Sequence, residues 1–167
     1  MEFRFLRLKS AQNCDSIYLD NYIDFKARRM NMIKVIYGNK GMGKSRRLCA
    51  EANETFEKAS GTVVFIDKDN DHMYDLKRGI RFINASEYGV TSKQMFMGFI
   101  AGIAAGDFDT QALFINGFIK LVHEHAAGLE DMFKYLDGFC AAHNIDITIS
   151  ITAENAPCPE FMQKYCI

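Results

Sequence analysis

From Met32 onward the spacing of apolar residues changes repeatedly along the chain. Short runs rich in β-branched residues, such as TVVFI at 62–66 and IDITISI at 145–151, alternate with stretches whose apolar residues recur every three to four positions. The first pattern is that of strands and the second that of amphipathic helices. Read this way, the sequence predicts strands at 33–37, 62–66, 80–84, 112–115 and 145–151, and helices at 44–59, 91–105, 128–143 and 159–165. The helix at 91–105 places Met95, Phe96, Phe99, Ile100 and Ile103 on one face, behind Thr91 and Ser92 as candidate caps. The helix at 128–143 repeats the device with Leu129, Met132, Phe133, Leu136, Phe139 and Cys140. These stripes, methionines included, are expected to be core. Strands alternating with helices predict βαβ units, hence an α/β fold with a mainly parallel sheet of about five strands between helical layers.

Residues 1–31 do not fit this scheme. Apart from a candidate extended stretch at 17–25 they carry no period, which predicts a loosely attached or disordered extension ahead of a domain at 32–167. A second reading comes from the genetic code. Arg28-Arg29 can be encoded AGG-AGG, a ribosome-binding purine run two codons ahead of Met32, so that 1–31 would be an upstream frame rather than native product.

Between the first strand and the first helix stands GNKGMGKS, residues 38 to 45. It satisfies G-x-x-x-x-G-K-[ST], with Gly38, Gly43, Lys44 and Ser45 in the fixed places and the strand and helix where that motif requires them. Without side chains at Gly38, Gly41 and Gly43, the backbone of Gly38, Asn39, Lys40, Gly41, Met42 and Gly43 is able to turn its N–H groups toward phosphate oxygens. The helix beginning at Lys44, Ser45 and Arg46 adds its own unpaired N–H groups. In this reading Lys44 reaches the outer phosphates and acts as the catalytic cation, and Ser45 ligates magnesium. Charge supports it: Lys26, Arg28, Arg29, Lys34, Lys40, Lys44, Arg46 and Arg47 fall in one stretch without an acidic residue, a local field that draws anions. The expected cofactors are ATP (or GTP) and Mg.

Ligands of open parallel sheets gather beyond the carboxyl ends of the strands. The second predicted strand ends at Asp67, the fourth at Asn116 and the fifth at Thr152, Ala153 and Glu154. A phosphate-loop NTPase normally ends a later apolar strand with an aspartate that helps hold magnesium, and here that place belongs to Asn116. The loss of one charge beside a divalent ion matters by a few kcal/mol, since unit charges about 4 Å apart interact by roughly 4 kcal/mol at intermediate dielectric. Gly117 and Phe118 follow, so no glutamate positions an attacking water. Nucleotide binding with slow or absent hydrolysis is therefore expected, as in a switch or regulatory module. The alternative is an active NTPase or small-molecule kinase that uses Asp67 or Glu154 as its carboxylate, with Asp67 the candidate metal ligand beside Ser45. A third possibility places the missing arginine on a second copy of the chain or another protein partner. Asn116-Gly117 is also a deamidation-prone pair. His123 and His125 flank Glu124, a weak metal pattern read here as a polar loop between strand and helix.

With the loop at 38–45, VVFID, IRFINASEYGV and FINGFIKL in place, the sequence from Met32 to the end resembles a family of small stand-alone bacterial P-loop proteins, some labelled after twitching-motility ATPases. The resemblance implies a P-loop NTPase three-layer fold and nucleotide binding. It does not imply the motility activity, which needs a second domain. Members generally carry aspartate where Asn116 stands and begin near Met32.

The remaining composition narrows the class. A formal net charge of -1 gives no nucleic-acid footprint. Five cysteines, Cys14, Cys49, Cys140, Cys158 and Cys166, have no spacing that suits zinc or a redox dithiol and read as reduced, mostly buried thiols. No apolar run approaches the roughly 20 residues of a membrane span. The N-terminus has no secretory pattern, so the expectation is a cytoplasmic protein without a membrane partner.

Overall fold

The computed structural model describes residues 32–153 and 156–167. The expected extension at 1–31 and the candidate carboxylate Glu154 lie outside the described residues. Five strands form one all-parallel sheet: β1 (Ile33–Asn39), β2 (Thr62–Asp67), β3 (Arg81–Asn84), β4 (Thr110–Ile115) and β5 (Asp146–Ala153), in the order β1-β5-β4-β2-β3. The helices are α1 (Lys44–Lys58), α2 (Lys93–Gly106), α3 (Phe118–Val122), α4 (Glu130–His143) and α5 (Glu160–Gln163).

Handedness distributes the helices. The connection from β1 to β2 crosses the sheet in one direction, whereas those from β3 to β4 and from β4 to β5 return in the other. Right-handed crossovers then put α1 on one face and α2 to α4 on the opposite face. Side-chain alternation follows that division. Val63 and Phe65 of β2 and Ala112 and Phe114 of β4 join Leu48, Cys49 and Ala52 of α1 in the smaller core. Val64, Ile66, Leu113 and Ile115, together with Ile147, Ile149 and Ile151 of β5, join Phe96, Phe118, Phe133 and Leu136 in the larger one. Both faces are covered, which is why β2 and β4 read as nearly continuous apolar runs.

All five predicted strands and all four predicted helices are present, with end shifts of a few residues. β1 runs on to Asn39 because its pairing with β5 continues through Asn39 and Ala153. α2 starts after Ser92, whose hydroxyl accepts from the Met95 N–H at 3.2 Å and so supplies the cap. A 3-10 turn over Ala126–Leu129 takes up the expected start of α4. α3 was not expected: five residues are too few to display a helical period. Beyond α5 the chain docks on the free edge of β1, with Val35 N–H donating to Tyr165 O at 2.8 Å and Ile167 N–H to Val35 O at 3.1 Å.

Among the described cysteines, Cys49 and Cys140 are buried, Cys158 is half-buried and Cys166 is exposed. No helix among the described residues is long and apolar enough to cross a membrane.

Candidate functional site

The loop after β1 turns sharply because Gly41 and Gly43 take positive φ values of 87° and 70°, a backbone region that a side chain disfavours by about 1–2 kcal/mol per residue. Gly43 is the N-cap of α1 and has no side chain to offer the first N–H groups of the helix. Those of Lys44, Ser45 and Arg46 have no intrahelical partner, and the first turn holds no acidic residue to compensate them. Fifteen residues of α1 stand behind that turn.

The loop holds itself open by short local bonds. Asn39 N–H donates to Met42 Sδ at 3.2 Å, and the Asn39 carbonyl accepts from Met42 N–H at 3.4 Å and from Lys44 Nζ at 2.7 Å. Lys44 thus lies folded against the loop, its pKa lowered by desolvation. Gly38 still pairs with Thr152 of β5 inside the sheet. Met42 is exposed at the loop tip.

Beneath the loop opens a cavity of about 500 Å³. Lys40, Gly41, Gly43, Lys44, Ser45 and Arg46 form one wall; Asp67, Lys68, Asp69, Asp71 and His72 form the opposite one. Asn116, Gly117, Lys120, Ser150 and Thr152 complete it from the ends of β4 and β5. Arg47, the other arginine of the basic run among the described residues, is turned away, bonded to Glu51 at 2.9 Å and to the Ile167 carbonyl at 3.1 Å.

A chain of buried polar groups forms the cavity floor. Ser45 Oγ donates to Asn116 Oδ1 at 3.0 Å; Ser150 Oγ donates to the same oxygen at 2.8 Å; Asn116 Nδ2 donates to Asp67 Oδ2 at 2.9 Å. Asp67 Oδ1 accepts the Lys68 N–H at 2.7 Å, and Gly117 N–H donates to Ser150 Oγ at 3.0 Å. Asp67 is 1% exposed and Asn116 6%. Burial pushes the Asp67 carboxyl above its ordinary range, while the hydrogen bonds from Asn116 and the Lys68 amide pull it back. β2 and β4 are adjacent, so the side chains that end them meet. The Asp67 carboxylate therefore lies against the Asn116 amide at the carboxyl end of the sheet.

The Ser45 hydroxyl and the Asp67 carboxylate are oxygen donors of the kind that a hard divalent cation such as Mg²⁺ prefers. The Asn116 oxygen already accepts from Ser45 and Ser150 and its amide nitrogen donates to Asp67, which holds both donors in place. Gly38, Asn39 and Met42 shape the loop without lining the cavity, and Lys40, Gly41, Gly43, Lys44, Ser45 and Arg46 line it directly. His123, Glu124 and His125 do not converge as ligands: His123 caps the C-terminus of α3, and Glu124 pairs with Lys93 at 3.1 Å.

Lys68, Asp69, Asp71, His72, Lys120 and Ser150 were not singled out in the sequence. The first four follow the end of β2 directly, so the strand-end rule that selected Asp67 reaches them if extended by five residues. Ser150 stands in IDITISI at a position where the strand alternates away from its isoleucines, and that polar register was its signal. Neither the protein-family models nor the curated proteins compared with this chain match it.

Proposed function

We propose that the 38–45 loop is a phosphate loop and that the cavity beneath it binds a purine nucleoside triphosphate, ATP or GTP, with Mg²⁺. The observation that supports this most is the coincidence of two features on one turn. An uncapped fifteen-residue helix opens on two left-handed glycines, and Lys40, Lys44, Arg46, Lys68 and Lys120 surround the cavity it faces. Phosphate oxygens would accept the loose N–H groups, and Lys44 would exchange the Asn39 carbonyl for the outer phosphates. Ser45 and Asp67 would hold the cation, positioned by Asn116, and the cation would supply charge neutralisation between the phosphates.

Slow or absent hydrolysis is the accompanying reading. Asn116 is neutral, and the next residues offer no base: Gly117 has no side chain and Phe118 is packed edge-on against Phe96 in the core at 5.2 Å. A switch or regulatory module needs no faster chemistry. At a concentration about 100 times its Kd, a ligand that binds only the folded state adds about 2.7 kcal/mol. For a domain of this size that raises the melting midpoint by roughly 10 °C. Lys44→Ala is expected to lose that shift, measured by thermal denaturation with MgATP and MgGTP. An unchanged shift in the variant refutes the proposal.

The burial of Asp67 beside Asn116 favours a second reading, a phosphoryl-transfer catalyst with Asp67 as its carboxylate. It predicts magnesium-dependent phosphate release that Asp67→Asn removes while nucleotide-induced stabilisation persists.

A further inference from the structure

On the outer side of the same loop region lies a second concave site of about 380 Å³, lined by Arg46, Cys49, Ala50, Asn53, His72 and Asp75. Cys49 sits on the buried side of α1; His72 precedes and Asp75 ends the 3-10 turn Met73–Asp75 in the connection between β2 and β3. One ligand atom from each of the three lies within 4.8 Å of the others. Their separation in sequence hid them, since Cys49 has no cysteine or histidine within zinc-like spacing.

We propose that Cys49, His72 and Asp75 form a binding site for a thiolate-seeking divalent cation of the Zn²⁺ class, clipping the β2–β3 connection to α1. Four features of the site support it. The donor set is sulfur, imidazole and carboxylate, which suits Zn²⁺ and Co²⁺ rather than Mg²⁺ or Ca²⁺. Three protein ligands leave the fourth tetrahedral position to water, and Asp75 is exposed enough to admit an ion from solvent. His72 Nδ1 and Asp75 Oδ2 lie 3.1 Å apart, close to the separation of two ligand atoms on one tetrahedral ion, which would take the place of that contact. The connection is also pinned independently of any ion: Asn53 Nδ2 donates to the Asp75 carbonyl at 2.9 Å, and Asn53 Oδ1 accepts the Lys77 N–H at 2.8 Å. Asn53 therefore holds the ligands near one another as a positioning residue.

A divalent cation here replaces the Cys49 thiol proton: one S–H bond breaks, one metal–sulfur bond forms and one proton goes to solvent, with no change of oxidation state. Arg46 opposes the cation, and the thiolate together with Asp75 outweighs that single charge. Arg46 and His72 line both cavities, so an ion here fixes one wall of the triphosphate cavity.

The test is a Co²⁺ titration of the reduced full chain without nucleotide, so that it stands apart from the nucleotide reading. The competing site is the Cys158–Cys166 pair, whose sulfurs lie 3.3 Å apart. The expected result is thiolate-to-cobalt charge-transfer absorption that saturates at one ion per chain. It persists in the double variant Cys158→Ser, Cys166→Ser and disappears in Cys49→Ser. Because Cys49 is buried, His72→Ala and Asp75→Asn at the surface provide variants that keep the core intact, and each should weaken Co²⁺ binding at least tenfold. Asn53→Ala should weaken it by about 10–100-fold, as loss of a residue that orients a ligand does. Absence of the absorption in the parent, its survival in Cys49→Ser, its loss in the Cys158/Cys166 double variant, or unchanged affinity in His72→Ala overturns the proposal.

Discussion

Asn116 shows what one residue type does at the end of a strand. Read in the sequence it is a missing charge; in the fold its amide bridges Ser45 and Asp67. Asn116→Asp would set two carboxylates where Nδ2 now donates at 2.9 Å. Unit charges about 3 Å apart repel by roughly 5 kcal/mol at an effective dielectric of about 20, so one of the pair retains its proton and its folded-state pKa rises. A raised carboxyl contributes stability that is complete below its unfolded value, about 4, and is lost as pH rises through the folded value. Asn116→Asp is therefore expected to lose melting temperature between pH 4 and neutrality more steeply than the parent, whose Asp67 is raised mainly by burial and less by Asp69, and to regain it with added Mg²⁺. Parallel pH profiles of the two proteins exclude this account. The deamidation-prone Asn116-Gly117 pair is restrained by the same network, since Gly117 N–H, the attacking nitrogen, is held by Ser150 Oγ at 3.0 Å. Intact mass should stay constant on prolonged incubation of the parent at neutral pH, and Ser150→Ala, which releases that nitrogen, should gain the deamidated product.

Elements were legible to the extent that each carries its own period. β2, with burial at nearly every position, and α4, with its stripe from Met132 to Cys140, were readable because packing on both sides of a parallel sheet and on one side of a helix leaves those patterns. α3 left none: its Phe118, Leu121 and Val122 are buried as a single turn after the left-handed Gly117. The segment after α5 was invisible for a different reason, because its partner is the edge of β1, some 130 residues away in sequence. Among the described residues, that segment covers an edge that would otherwise present free N–H and C=O groups. Tyr165 adds ring contact with Phe133 at a centroid distance of 5.1 Å and a hydrogen bond to Asp137. Removing residues 165–167 is expected to cost roughly 3 kcal/mol or more, given the usual penalty for deleting a buried aromatic. It should also make the protein aggregate with increasing concentration through the bared strand, which denaturant unfolding and light scattering would register.

Strand order belongs to the whole molecule, and no local pattern encodes it. The alternation of strands and helices specifies a parallel sheet. That β2 lies beside β4, bringing Asp67 to Asn116, depends on crossovers whose direction is fixed only by the complete packing. The same packing divides the stability unequally. α1 is the one helix on the smaller core, joined there by Leu76 and Ile80 of the β2–β3 connection, whereas α2, α3 and α4 share the larger one. Sub-global opening follows the region with least buried apolar contact, so α1 amides should exchange with solvent at a lower opening free energy than those of α4. If the loop ahead of α1 holds a triphosphate, the ligand binds only the closed form of that weaker unit. Its linkage energy, about 2.7 kcal/mol at 100 times Kd, then slows α1 exchange by roughly 100-fold and leaves sub-global openings elsewhere nearly unchanged. Hydrogen exchange followed by mass spectrometry, with and without MgATP, separates the two statements. Equal exchange of α1 and α4 in the free protein removes the division of stability, whereas slow exchange spread evenly over all helices on adding nucleotide removes the link between α1 and the ligand.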